Sequence, residues 1–323
     1  MKILLTGASG FIGQGLRVEM SKRGLAVRYA IRSPKSTKKK IISNSDEVVI
    51  GNISANTNWS ESLIDIKCII HCAARAHIMN ETDSDSLTAY RKVNVDGTRN
   101  LAEQAAMMGV KRFIFLSTIG VNGDFTSRLK SFTHKDKPAP TANYAISKWE
   151  AEQVLKKISI RTGLEVVIIR PTLVYGPGVK GNFLRLLNLI KQGFPLPLGS
   201  IDNRRSFVGL DNLVDLIITC VDHIKAPGQT FLISDGIDLS TPDLIRKLEN
   251  SMGKSSRLFP IPISILNFIG LISGRHRDVE RLVHSLQVDY SHTKDLLDWK
   301  PIQSFENGLL EMIKSYLKTL KRK

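Results

Sequence analysis

The chain begins with a strand that runs straight into glycines. Residues 2–13 read KILLTGASGFIG: an apolar run, then Gly7, Gly10 and Gly13 at three-residue spacing, then a helical pattern that Gly24 stops. Glycines at this junction constrain the fold more than any other feature of the sequence. The first permits a tight turn, the second lets the main chain approach a bound diphosphate, and the third lets the helix pack closely on the strand. The helix then offers its first N–H groups, with the positive end of its dipole, to an anion above the turn. Gly7, Gly10 and Gly13, with Phe11 and Ile12 on the first helical turn, are therefore candidate residues for binding a dinucleotide.

The alternation that such a turn requires continues for half the chain. AVRYAIR (26–32), EVVIGN (47–52), CIIHCAA (68–74), RFIFLST (112–118) and EVVIIRP (165–171) read as short buried strands separated by helical patterns. They predict an α/β fold with a doubly wound parallel sheet, carrying a smaller C-terminal α/β lobe. Glycines and prolines cluster at 176–199, and one return to the sheet is expected around QTFLIS (229–234). The expected division is residues 1–170 plus about 206–234 for the dinucleotide-binding unit, with about 171–205 and 235–323 forming the lobe.

The longest apolar tract, FPIPISILNFIGLIS (259–273), is short for a membrane span and carries Pro260 and Pro262 at its start. A lobe-packing helix is expected there, with contact to a membrane surface as the other reading. Met1-Lys2 leads directly into the first strand, which leaves no room for a signal peptide. The three cysteines follow neither zinc nor disulfide spacing, so a reduced, cytoplasmic protein is expected. The formal net charge of +16 comes mostly from scattered residues and is accompanied by no nucleic-acid motif. The seven histidines are dispersed, and no metal site is expected.

ANYAISKWEAE (142–152) places Tyr144 and Lys148 four apart at the start of a helix, hence on one face, about 5–6 Å apart at Cβ. A tyrosine with its ordinary pKa near 10 is a poor base at neutral pH. A neighbouring ammonium and a positive nicotinamide ring favour the phenolate. Tyr144 is thus a candidate acid–base, with Lys148 tuning it.

Together, TGASGFIG and Y-x-x-x-K make the chain resemble the extended short-chain dehydrogenase/reductase superfamily, and within it the sugar-nucleotide epimerase/dehydratase family. The resemblance extends over HCAA (71–74), NVDGT (94–98), LSTIGVNG (116–123), RPTLVYGPG (170–178) and SLQVDYSHTKDLLDWKP (285–301). It implies that Lys148 also bonds the nicotinamide ribose, that Thr118 is the third catalytic residue in preference to Ser117, and that Ser117 faces the cofactor. It further implies that Asn52, Ala73, Ala74 and Pro171 line the cofactor. Arg170, Asn182, Arg205 and Arg281, with Thr118, would meet the substrate, Arg204 being a neighbour of Arg205. His77 would border the cleft. Dehydratases of this family carry an Asp-Glu pair where this chain has Ile119 and Gly120, so dehydration loses its machinery.

At the end of the second strand Ile31 and Arg32 stand where NAD-specific members often carry aspartate. Arg32 would pair with a 2′-phosphate, with Lys35 within reach, so NADP(H) is expected in preference to NAD(H). The resemblance implies a UDP-linked sugar substrate and a homodimer. The expected reaction is NADPH-dependent reduction of a UDP-4-keto-6-deoxy-N-acetylhexosamine, of the kind that supplies surface polysaccharides. The alternatives are a UDP-sugar 4-epimerase with tightly held NAD and a non-catalytic dinucleotide-binding protein.

Overall fold

The computed structural model describes residues 1–33, 46–76, 86–127, 130–274 and 276–320. Seven parallel strands form the main sheet: β1 (Lys2–Thr6), β2 (Ala26–Ile31), β3 (Asp46–Val49), β4 (Ile66–His71), β5 (Arg112–Leu116), β6 (Glu165–Pro171) and β9 (Thr230–Ile233). Their order is β3-β2-β1-β4-β5-β6-β9, which puts the switch in winding direction between β1 and β4. All seven coincide, within a residue or three at the ends, with the apolar runs of the sequence. Strands buried on both faces have no alternation to obscure them.

Helices cover both faces. On one, α1 (Phe11–Lys22) packs against α7 (Leu210–Asp222), and Leu16, Met20, Leu213 and Ile217 join Ile3, Leu5 and Ile169 in one core. A Cβ on Gly15 would lie 3.1 Å from Val214, so the two helices cross closely there. On the other face, α5 (Asn143–Thr162) contributes Ala151, Leu155 and Ile158. It lies beside a helix built from α3 (Ser86–Arg91), a π-helical turn (Lys92–Asp96) and α4 (Gly97–Met107). Between β3 and β4 lies α2 (Ser60–Leu63).

Pro171 ends β6, and the chain leaves the main sheet. Next, β7 (Leu173–Tyr175) pairs in parallel with β8 (Arg205–Gly209), which pairs antiparallel with β10 (Asp238–Leu239). Residues 205–209 thus pair within this smaller sheet. Only α7 and β9 return. Packed on the small sheet are α6 (Gly181–Gln192), α8 (Thr241–Ser251) and α12 (Phe305–Leu320), burying Phe183, Leu187, Ile245, Leu309 and Met312 around Phe207. The lobe is completed by α9 (Ile263–Ile272) and α10 (His276–Val283), while α11 (Ser291–Leu297) packs on β9, with Leu297 in the core of the main sheet. No helix among the described residues is long and apolar enough to cross a membrane.

Residues 285–288 tie the two parts together. They pair with Thr126 and Phe132 on one side and with Arg205 on the other. Leu286 and Val288 bury themselves with Ile119 and Leu232.

Candidate active site

The glycine turn lies where β1 and β4 end. Gly7 has φ +73°, and a Cβ there would stand 2.6 Å from the Ala73 nitrogen; a Cβ on Gly13 would stand 2.1 Å from the Gly7 carbonyl oxygen. No side chain larger than hydrogen fits either position. Gly10 caps α1 without any side-chain hydrogen bond, so no side chain competes for the helix's first N–H groups. The Phe11 and Ile12 side chains pack against the core, leaving their main chain to the turn. Ala73 donates to Thr6 Oγ1 at 3.2 Å, and that oxygen is 2.8 Å from His71 Nδ1. Burial pulls the His71 pKa down to about 3, so a neutral ring spans Thr6 and Thr98. The backbone cradle fits a dinucleotide diphosphate on its own geometry.

Arg32 follows β2 and is exposed, with no hydrogen bond or ion pair among the described residues. Beside it, after β3, the Asn52 carbonyl accepts from the Thr57 hydroxyl at 3.0 Å. Lys35 and His77 lie outside the described residues.

Helix α5 begins one residue before Tyr144, so Tyr144 and Lys148 occupy its first turns on one face. The Tyr144 ring is half-buried and meets Tyr90 edge-on, with 6.1 Å between ring centres. Lys148 is 1% exposed, its Nζ 3.8 Å from the centre of the Phe115 ring. Burial pulls the ammonium down to about 7, against the smaller opposing effects of Cys72 and Glu152. Burial also pushes the Tyr144 phenol up to about 12, with smaller contributions from Tyr90 and Cys72. The pair alone therefore does not make the phenolate expected from the sequence; burial outweighs the neighbouring lysine. A permanent positive charge over the site favours the phenolate, and an oxidised nicotinamide ring would supply one.

Beneath Lys148 lies a buried ion pair. Arg170 grips Glu152 with two bonds, 2.9 and 2.5 Å, and donates to Asn122 at 2.9 Å. Ser117 donates to the same carboxylate at 2.5 Å. Two expectations are corrected here. Arg170 is turned wholly into the core rather than toward the substrate, and the Ser117 hydroxyl faces Glu152 rather than the cofactor. The reason is shared: a Glu152 carboxyl group at 0% exposure must be met by the donors in reach.

Thr118 points differently. It caps a short 3₁₀ turn (Ile119–Val121), its Oγ1 accepting from the Gly120 N–H at 3.2 Å. That bond uses a lone pair and leaves the hydroxyl proton for another acceptor. A Cβ on Gly120 would lie 3.3 Å from Ala145 Cβ, so this turn packs against the start of α5, next to Tyr144. Ile119 is buried in the apolar cluster with Leu286 and Val288, where an acid would be unsolvated.

On the lobe side, Arg205 opens β8 and donates to the carbonyls of Arg281 and His284, at 2.7 and 3.1 Å, closing the end of α10. Burial, with the nearby Arg281 charge, pulls its pKa down to about 10. Two guanidinium groups this close mark a place where an anion lowers the energy of both. Asn182 is exposed on the first turn of α6, and Arg204 is exposed beside Arg205. Pro171 is buried at the end of β6, its carbonyl edge next to Ile233.

Residues 94, 152 and 72 were not among the candidates. In the π-helical turn, Asn94 accepts from Arg75 N at 2.8 Å and donates to the Ser147 hydroxyl at 2.9 Å, clamping the β4 exit to α5. Glu152 extends the Tyr144–Lys148 spacing by another four residues, a signal open to inspection. Nothing in the sequence marks Cys72, whose burial pushes its thiol up to about 12, as a neighbour of both Tyr144 and Lys148. Among the described residues no group of three or more His, Cys, Asp or Glu is placed to hold a metal ion.

A sequence profile for the NAD dependent epimerase/dehydratase family matches residues 3–234. The chain is 44% identical over 99% of its length to UDP-glucose 4-epimerase of Vibrio cholerae, covering 97% of that protein. It is 29% identical over 82% of its length to N-acetyl-alpha-D-glucosaminyl-diphospho-ditrans,octacis-undecaprenol 4-epimerase of Escherichia coli O157:H7, covering 77% of it. Among solved structures, UDP-glucuronic acid 4-epimerase from Bacillus cereus in complex with NAD superposes with a TM-score of 0.80 at 23% identity, over 99% of both chains.

Proposed function

The chain belongs to the NAD dependent epimerase/dehydratase family, and from that premise we propose that it is a 4-epimerase of UDP-linked hexoses that keeps one NAD. The observation that carries this reading is the 44% identity, end to end, with a UDP-glucose 4-epimerase. The 4-keto reduction favoured by the sequence uses the same side chains, but no relative of comparable likeness supports it. Exposed Arg32 is the feature that still speaks for it and for NADP(H). An epimerase returns its hydride to the sugar that gave it and draws on no pool of NADPH, so NAD is the proposed form.

The glycine turn at Gly7, Gly10 and Gly13, with Lys148, would hold NAD, which would supply reversible hydride exchange at C4 of the sugar. The protein's own groups supply everything else. Tyr144, as phenolate, accepts the proton of the C4 hydroxyl and later gives it back. Lys148, on the same face of α5, would favour that phenolate whenever it carries its proton. Thr118 donates its remaining proton to the same sugar oxygen. Asn182, Arg205 and Arg281 hold the diphosphate. Ile119 and Gly120 offer no acid or base, so the 6-hydroxyl stays in place. The proposal includes a cytoplasmic setting, in keeping with Cys68, Cys72 and Cys220 as free thiols, and a homodimer, which sedimentation of the pure protein would test.

The test is a panel of UDP-glucose, UDP-N-acetylglucosamine and their 4-epimers, followed by NMR with no cofactor added, alongside a sugar diphosphate carried on a polyprenol. Interconversion supports the proposal, and heat-released NAD accompanies it. Arg32→Ala should change NAD affinity by no more than about twofold, as for an exposed side chain outside the machinery. Oxidation of added NADPH by a UDP-4-keto-6-deoxy sugar, without epimerisation, hands the chain to the reductase.

A further inference from the structure

Helix α9 is the most apolar exposed feature of the molecule. From Phe259 to Gly274 the chain carries no charged residue. Leu266 and Gly270 face α10, where a Cβ on Gly270 would stand 2.7 Å from Val279 Cγ2. The other side of the helix is bare: Ile265, Phe268, Ile269 and Ile272 are 47%, 62%, 52% and 71% exposed, at the i, i+3, i+4, i+7 spacing of one stripe, with Leu271 at 67% beside them. Soluble surfaces rarely leave so much contiguous apolar side chain uncovered.

We propose that this face of α9 seats in the surface of an anionic lipid bilayer. Ten residues span about 15 Å, half of a bilayer core, so the helix lies in the interface and does not cross it. Charge selects the occupant. The chain carries 46 basic against 30 acidic residues, and exposed Lys254, Arg257 and Arg281 border the tract in sequence or across the α9–α10 contact. The acids on α10 are Asp278 and Glu280, the latter within 3.4 Å of His276. A second copy would set the same positive charge against itself. An anionic lipid surface complements it and accepts the apolar stripe at the same time. Because Arg205 closes the end of α10, docking also brings the proposed diphosphate site close to the membrane plane.

The experiment is co-sedimentation of the full chain with vesicles of phosphatidylcholine containing phosphatidylglycerol, against phosphatidylcholine alone. Binding to the anionic vesicles, weakened by salt, is expected. Phe268→Glu with Ile272→Glu should reduce it by roughly tenfold or more while cofactor binding is unchanged, since two charges then face the acyl region. Phe268→Trp, which keeps the surface apolar, should bind like the parent chain and shift its added emission to the blue. Three results overturn the proposal: no binding to phosphatidylglycerol vesicles at low salt, equal binding by the double variant, or a parent dimer that the double variant converts to monomer. The last assigns the face to a second copy.

Discussion

The sheet half and the lobe bring their chemistry together in opposite ways. In the sheet half, Tyr144, Lys148 and Glu152 follow one another at four-residue steps on one helix, and their partners Ser117, Thr118 and Arg170 end adjacent strands. Lys148, Glu152, Ser117 and Arg170 are buried there, with Ser117 and Arg170 both hydrogen-bonded to Glu152. In the lobe, Arg205 and Arg281 meet across 76 residues of sequence, through a strand start and a helix end. Arg204 is exposed beside Arg205, and Asn182 is exposed on α6. One half fixes reacting groups; the other presents cations on a surface that a new substrate can reshape at little cost. Changes in the first should destroy function or fold, and changes in the second should shift affinity.

The largest effect is expected at the buried ion pair. Glu152→Ala strands the Arg170 guanidinium in the core and should lower stability by about 3–5 kcal/mol, measured by urea unfolding. Loss under about 1 kcal/mol would mean that the pair is not the anchor beneath Lys148. Tyr144→Phe comes next. It keeps the ring and removes the proton carrier, so kcat should fall by at least roughly 100-fold with the melting temperature nearly unchanged. A variant that loses both turnover and fold would blur the distinction between reacting and anchoring residues.

Lys148 joins the two effects. The unfolded chain holds that proton up to about 10.5 and the folded chain only up to about 7, so the unfolded state binds more protons between those values. Stability should therefore rise as pH increases from 7 toward 9, with the penalty fully present below 7. Lys148→Met should lose this rise and melt higher at pH 6, by on the order of 5 °C, while losing turnover. Parallel pH curves for parent and variant would show that Lys148 keeps an ordinary pKa. The smallest effect belongs to the lobe: Arg205→Ala should raise KM for the UDP-sugar roughly tenfold, for one charged hydrogen bond, and leave kcat within a few-fold. A fall in kcat with unchanged KM would move Arg205 out of the diphosphate site.

The same contrast explains what could be read from the sequence. Strands buried on both faces, a glycine turn and a Y-x-x-x-K step are local patterns, and each maps to structure residue by residue. The π-helical turn around Asn94 is local too, but its purpose is visible only when Arg75 and Ser147 arrive from elsewhere. Arg170 and Ser117 were misdirected because a strand end offers two faces, and only the position of Glu152 decides which one a side chain takes. The choice between epimerase and reductase lies in a cofactor's residence time, which no spacing encodes.

That choice is open to one direct measurement. UDP-glucose carrying deuterium at C4 is incubated with the purified protein, with no cofactor added, and the products are followed by NMR. The account predicts UDP-galactose with the deuterium still at C4, because the hydride leaves and returns within one closed site. No epimer, or an epimer whose C4 label has been exchanged with water, would contradict it.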